Sequence, residues 1–159
     1  MFDIGDKVVY PMHGAGVIES IEEKEILGEK QKYYVMRLPL GDMKVMVPMK
    51  NVKSIGLREV VDEETIHEVL NRMRSQKKND TKNWNRRYRA NLDKMKSGDI
   101  YEVADVVRSL MLRDEEKGLS TGERKMLDNA KQILISELVL VKNMKEEQAF
   151  ELIDDIYME

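Results

Sequence analysis

A short basic segment contains the residues of this chain best suited to contact a polyanion. Its sequence, Lys82-Asn83-Trp84-Asn85-Arg86-Arg87-Tyr88-Arg89, sets the only tryptophan between two asparagines and follows it with three arginines. Guanidinium groups bind phosphate oxygens, and an exposed indole can stack on a base or wedge between base pairs. The segment therefore indicates contact with nucleic acid.

The same spacing permits a structural interpretation. Trp84 shares a helical face with Tyr88 and Leu92, and a tryptophan on such a stripe is commonly a core residue. Because Trp84 lies in the first helical turn, directly after a polar stretch of sequence, its side chain could instead project from the end of the helix. Trp84 is thus either a contact or a core residue, and the asparagines cap the helix, read base edges, or do both.

Charge is distributed unevenly along the chain, although the net charge is only -3. Residues 72–96 hold ten Lys or Arg and two Asp, whereas residues 97–159 hold eight basic and fifteen acidic residues. Because a surface charge acts over roughly 8 to 10 Å, the basic stretch can attract a polyanion in an acidic protein. The alternative is a solvated basic face that pairs with the acidic C-terminal helices.

Side chains suited to catalysis are sparse. The two histidines, His13 beside glycines and His67 among glutamates, fit no catalytic or zinc motif, and the chain has no cysteine. The stretch Gly14-Ala15-Gly16, for which we expect a tight turn, is too short for a nucleotide fingerprint. We therefore expect a protein that is not an enzyme and that has no metal or other cofactor.

The N-terminus and the apolar runs argue against a membrane partner. The first six residues contain acids where a secretory signal needs a basic region, and no apolar run is long enough to span a bilayer. We expect a cytoplasmic monomer.

Two periodicities divide the chain. Between Lys7 and about Val52, short β-forming runs alternate with turns, which predicts a small Tudor- or SH3-like β-barrel. After Asp62, apolar residues recur three and four positions apart, which predicts an all-α bundle of about five helices. The fold class is therefore α+β with two domains, 1–60 and 61–159.

Two capping boxes are predicted within the bundle. Ser120 with Glu123, and Asn143 with Glu146, have the spacing in which a side chain accepts from the backbone N–H three residues on. Each would begin a helix.

The last clear strand has a pattern suited to a sheet edge. Val45 and Val47 fall on one face, and Lys44 and Met46 on the other. With the valines buried and the other two exposed, such a strand could add to a partner's sheet. An ordinary barrel strand is the alternative.

Motifs along nearly the whole chain carry a family resemblance. The N-terminal ones are Phe2-x-x-Gly5-Asp6-x-Val8-Val9-Tyr10-Pro11-x-His13-Gly14, Tyr33-Tyr34-Val35, Met46-Val47-Pro48 and Gly56-Leu57-Arg58. The C-terminal ones are Asn83-Trp84-x-Arg86-Arg87-Tyr88, Ser97-Gly98-Asp99, Val106-Val107-Arg108, Arg113-Asp114, Gly118-Leu119-Ser120 and Gly122-Glu123. With them the chain resembles the CarD/CdnL family of bacterial transcription regulators.

The resemblance implies two partners. The Tudor-like domain would dock on the RNA polymerase β subunit by strand addition, and the helical domain would meet promoter DNA near the upstream edge of the melted region. Trp84 would wedge into the minor groove and stabilise the open complex. The implied phosphate contacts are Arg86, Arg87 and Arg89, with Arg124 and Lys125 as weaker candidates, and the implied polymerase contacts are Lys24, Lys44, Val45, Met46 and Val47.

One position departs from the family pattern. Some members have an arginine where this chain has Met46, so a charged contact there would be replaced by apolar packing or by Lys44. The chain would be associated with the nucleoid through polymerase.

The alternatives are a stand-alone RNA or single-strand binder that stacks bases on Trp84 and Tyr88, and a protein-interaction adaptor in which Trp84 is core.

Overall fold

The computed structural model describes residues 1–76 and 83–158. Lys82, the first residue of the basic segment, lies outside them. Among the described residues, no helix combines the length and the apolar character needed to cross a membrane.

Five antiparallel strands form one sheet in the N-terminal part. They are β1 (Lys7–Tyr10), β2 (Gly14–Ile26), β3 (Glu29–Leu38), β4 (Met43–Pro48) and β5 (Arg58–Glu59). Their spatial order is β4-β3-β2-β1-β5, so β4 and β5 are the edges. The sheet buries its own small core, made of Val8, Ile18, Tyr34, Met36, Leu38, Val47 and Leu57. The predicted β-module is confirmed.

The turn expected at Gly14-Ala15-Gly16 is wrong, because these residues begin β2. The close pairing of β2 with β3 depends on one of them, Gly16. A Cβ on Gly16 would lie 2.6 Å from the backbone oxygen of Arg37, a separation that real Cβ atoms do not adopt. Only glycine lets the two strands approach this closely here.

In the part of the chain that the structure describes, six α-helices follow the first four strands. A short α1 (Val52–Ile55) precedes β5, and the helical domain holds α2 (Glu63–Ser75), α3 (Trp84–Lys96), α4 (Ile100–Lys117), α5 (Thr121–Lys142) and α6 (Glu146–Met158). The apolar stripes of α2 to α6 meet in a second, larger core. The predicted two-domain α+β class is confirmed, with five helices in the bundle.

Side-chain caps begin most of these helices. Asp62, Asn83, Asp99 and Ser120 each accept a hydrogen bond from a backbone N–H in the first turn. The capping box predicted at Asn143 is wrong: Asn143 has a left-handed backbone (φ 51°) and ends α5. Before α6, the Gln148 side chain instead accepts from the Lys145 N–H.

Helix α5 joins the helical domain to the sheet. The Ser136 hydroxyl accepts a 2.8 Å hydrogen bond from the Ala15 N–H, and both Glu137 carboxylate oxygens lie 2.8 Å from the Arg58 guanidinium. Glu137 is 2% exposed and also accepts from the Val61 N–H. A partly buried ion pair with this many hydrogen bonds fixes the two domains against each other.

Candidate nucleic-acid interface

The N-terminal end of α3 presents the tryptophan. The Asn83 side chain caps the helix by accepting from the Arg86 N–H at 3.0 Å, so the helix begins at Trp84. The cap interpretation of Asn83 is thereby confirmed. Because Trp84 lies in the first turn, its side chain emerges at the end of the helix and is 41% exposed.

Three neighbours hold the indole in place. The Tyr88 ring is stacked on it, with 4.8 Å between centroids and 14° between planes. The indole N–H donates to the Ser120 hydroxyl at 3.1 Å. Gly122 lies alongside, where an added Cβ would be 3.6 Å from the Trp84 ring. The indole is therefore both oriented and partly open to solvent.

Ser120 connects the indole to the start of α5. Its hydroxyl caps α5 by accepting from the Glu123 N–H at 3.2 Å, and the same oxygen accepts from Trp84. The capping box was found in the sequence, but nothing in the sequence linked it to a tryptophan 36 residues away. Ser120 and Gly122 are thus site residues that sequence reasoning missed.

Arg87 corrects the expected set of phosphate contacts. It is 3% exposed, and its guanidinium contacts the Glu123 carboxylate at 2.9 and 3.1 Å. The charge of Arg87 is satisfied inside the protein, so it does not face a phosphate. Arg87 instead ties α3 to α5.

The pKa of Glu123 reflects this pairing. Burial alone raises the pKa of the carboxyl, but the hydrogen bond and charge of Arg87, with Arg113 3.8 Å away, outweigh it. The pKa therefore lies below its ordinary value, and the carboxylate stays ionised. A buried carboxylate paired in this way needs both of its partners.

The other predicted cations differ in their freedom. Arg86 and Arg89 are exposed on α3, and no described residue forms an ion pair with either. Arg124 makes a bidentate pair with Asp114 at 2.7 and 3.1 Å, which raises the pKa of its guanidinium. Lys125 is exposed. Of the predicted cations, Arg86, Arg89 and Lys125 are therefore the exposed ones for which no described residue forms an ion pair.

A groove of about 310 Å³ continues from the tyrosine between α3 and α5. It is lined by Met12, Tyr88, Leu92, Met95, Gly122, Lys125, Met126 and Asn129. Lys125 and Tyr88 thus line the same groove.

The sheet provides the second candidate surface. Within residues 1–76 and 83–158, strand β4 pairs only with β3, so its other edge has no neighbouring strand. Val47 is fully buried and Met46 is partly buried, so the expectation of an exposed Met46 is only partly correct. Lys44 is exposed and pairs with Glu19 at 3.3 Å. Lys24 is exposed on β2.

No metal-binding arrangement accompanies these surfaces. Across residues 1–76 and 83–158, no group of three or more His, Asp or Glu side chains could hold a metal ion.

Family models match both halves of the chain. The model described as "CarD, C-terminal domain" matches residues 68–154, and the "CarD-like/TRCF RID domain" matches residues 2–61. The chain belongs to the CarD family of transcription factors. The second of these domains is an RNA polymerase-interacting domain type.

One curated relative and two solved structures are similar to this chain in sequence. YdeB of Bacillus subtilis (strain 168), which is described provisionally as a transcription factor, is 47% identical over 93% of this chain and 97% of its own length. The solution structure of the 72-residue N-terminal domain of Myxococcus xanthus CarD is 37% identical, covering 37% of this chain and 79% of that one, with a TM-score of 0.33. CdnLNt from the same organism is 43% identical, covering 40% and 89%, with a TM-score of 0.35.

Proposed function

We propose that this protein regulates transcription initiation by binding the RNA polymerase β subunit with its sheet and promoter DNA with the end of α3. The DNA contact would lie at the upstream edge of the melted region, where Trp84 wedges into the minor groove. The protein performs no catalysis. The observation that carries the proposal is the oriented, 41% exposed Trp84 beside Arg86 and Arg89, in a CarD-family chain.

A wedge favours DNA that is already distorted. Inserting an apolar side chain into intact duplex costs a few kcal/mol of unstacking, and the cost is smaller next to a melted region. A protein that binds the open complex better than the closed one shifts the equilibrium by that difference. A difference of about 1.4 kcal/mol would change the ratio tenfold.

Phosphate contacts would contribute little affinity by themselves. With Arg87 buried, Arg86 and Arg89 remain as the principal cations of α3. If each neutralises one phosphate, the slope of log K against log salt is about -1.8. DNA binding would then depend on tethering through polymerase, where the effective concentration of the DNA is high.

The polymerase contact would use the free edge of β4 together with Lys24. The edge presents unpaired backbone groups, which suit strand addition. Lys44 would contribute charge, and Met46 the apolar packing that replaces an arginine. Val45 and Val47 would take part through their backbone, because Val47 is buried in the sheet's core.

The two alternative functions have weaker support. A stacking platform for single strands would use both rings, yet Tyr88 is half-buried and Trp84 covers one of its faces. An adaptor with Trp84 in its core does not fit a ring that is 41% exposed.

The test is the lifetime of the open complex on a promoter, measured with the matching RNA polymerase. We would compare no added protein, wild type, Trp84→Ala and Trp84→Phe, after a melting curve shows that each variant is folded. Wild type should lengthen the lifetime, the alanine variant should not, and the phenylalanine variant should be intermediate. A folded alanine variant as active as wild type would refute the wedge. Tight binding of RNA or single strands without polymerase would favour the first alternative.

A further inference from the structure

A two-stranded arm projects from the sheet. β1 pairs with β2 only from Gly14 to Val17, and β4 reaches along β3 only as far as Tyr33. Beyond these points β2 and β3 pair only with each other, out to Ile26 opposite Glu29. Every residue from 21 to 30 is exposed.

The tip of this arm has an unfavourable residue for its conformation. Leu27 and Gly28 form the two-residue turn, with φ values of 52° and 81°. Two-residue turns with both φ values positive strongly prefer Asn, Asp or Gly at the first position. Leu27 is instead a bulky aliphatic residue in a left-handed conformation, and its side chain is 100% exposed.

No described residue compensates for this cost. Neighbouring Ile26 is 51% exposed, so two aliphatic side chains stand together in solvent at the end of the arm. Departures from local preference without a compensating contact commonly mark functional positions. An apolar tip on a narrow arm suits insertion into an apolar pocket of another molecule.

The charges of the arm indicate which kind of molecule this is. Between residues 22 and 32 the chain holds four glutamates and three lysines. A polyanion or an anionic membrane would be attracted by a basic surface, which this arm lacks. A protein pocket with a mixed polar rim fits both the charges and the two aliphatic side chains.

The arm is continuous with the surface proposed for polymerase. Lys24 lies on the arm itself, three residues before Leu27, and β4 ends at Pro48 opposite Tyr33, where the arm begins. We propose that Leu27, with Ile26, inserts into an apolar pocket of RNA polymerase next to the strand-addition site. This inference rests on the proposed function, since it assumes the same partner.

The test uses the variant Leu27→Asn in the full-length chain. Asparagine is favoured at this turn position, so the melting temperature should stay the same or rise. Loss of a buried leucine contact should nevertheless weaken binding to purified RNA polymerase core by about tenfold to a hundredfold. The matched control is Ile4→Asn, the same kind of change at an aliphatic residue that is 61% exposed and lies outside the arm. Leu27→Met should keep the affinity within about threefold, because the pocket would still be filled.

The outcomes separate the two proposals. If wild type binds polymerase and Leu27→Asn binds equally well, or is weakened no more than Ile4→Asn, the inserted tip is refuted while the proposed function stands. If wild type fails to bind polymerase core, the proposed function and the tip are both refuted. A variant that melts no lower than wild type and binds at least tenfold more weakly supports the inference.

Discussion

Replacing two adjacent arginines of the same helix should have different effects on the stability of the protein. Arg87 and Glu123 are both 2% exposed at the side chain, and two N–O contacts join them. In Arg87→Ala the Glu123 carboxylate stays buried with Arg113 3.8 Å away as its nearest remaining cation. Removing one member of a buried pair costs about 3–5 kcal/mol, which lowers the melting temperature of a chain this size by about 6–20 °C.

Arg86→Ala is the matched control, since Arg86 is exposed and no described residue pairs with it. Its free energy of unfolding should stay within about 0.5 kcal/mol of wild type. Urea unfolding followed by circular dichroism measures both values. In a salt titration of DNA binding on the polymerase complex, Arg86→Ala should reduce the slope by about 0.9. If Arg87→Ala is as stable as Arg86→Ala, the structural role assigned to Arg87 is wrong.

Three further changes test the rest of the molecule. Gly16→Ala should lower the free energy of unfolding in urea by about 1–3 kcal/mol or more, because the new Cβ would meet the Arg37 backbone oxygen at 2.6 Å. A variant as stable as wild type would contradict the close approach of β2 and β3. Arg58→Ala leaves the buried Glu137 carboxylate without its guanidinium partner. Calorimetry should show that the free energy of unfolding falls by about 3 kcal/mol and that the two domains melt in separate transitions. A single transition at the wild-type temperature would exclude a role for this ion pair in coupling the domains. The pKa of Glu123 lies below the ordinary 4.5, so the contribution of its carboxylate to stability is complete above pH 4.5 and is lost as pH falls through the folded-state pKa. Glu123→Gln should therefore lose stability less steeply with falling pH over that acid range. A pH profile of stability equal to that of wild type would argue against the pairing with Arg87.

Local patterns carried enough information for the elements of the fold. The strands ended at prolines and glycines, and helix stripes such as that of Ile66, Val69, Leu70 and Met73 are buried as their spacing predicts. These signals lie within a few residues of each other, so no knowledge of distant contacts is needed. The capping box predicted at Asn143 was wrong because asparagine suits either the start of a helix or a left-handed residue at the end of one. Which of the two forms depends on the surrounding chain.

The details of the site depend on contacts between distant residues. Arg86 and Arg87 are the same residue type, and only the position of Glu123, 36 residues away, makes one of them internal. A helical stripe of Arg87, Asn91 and Met95 was present in the sequence, but buried arginines are rare enough that the stripe could not be recognised as a core face. The partner of the Trp84 N–H was hidden for the same reason, because Ser120 lies on another helix.

The contacts of α5 with β2 and β5 have an entropic consequence. Ser136 and Glu137 anchor the sheet to the bundle through short hydrogen bonds that are buried or partly buried, so the two domains move as one body. When one end of such a body is bound, the other end keeps little rotational or translational freedom to lose. A second, weak contact then forms at small additional entropic cost, provided that its target lies at the one distance the body spans. The position of the contacted DNA would follow from the dimensions of the protein, with no base sequence to be read.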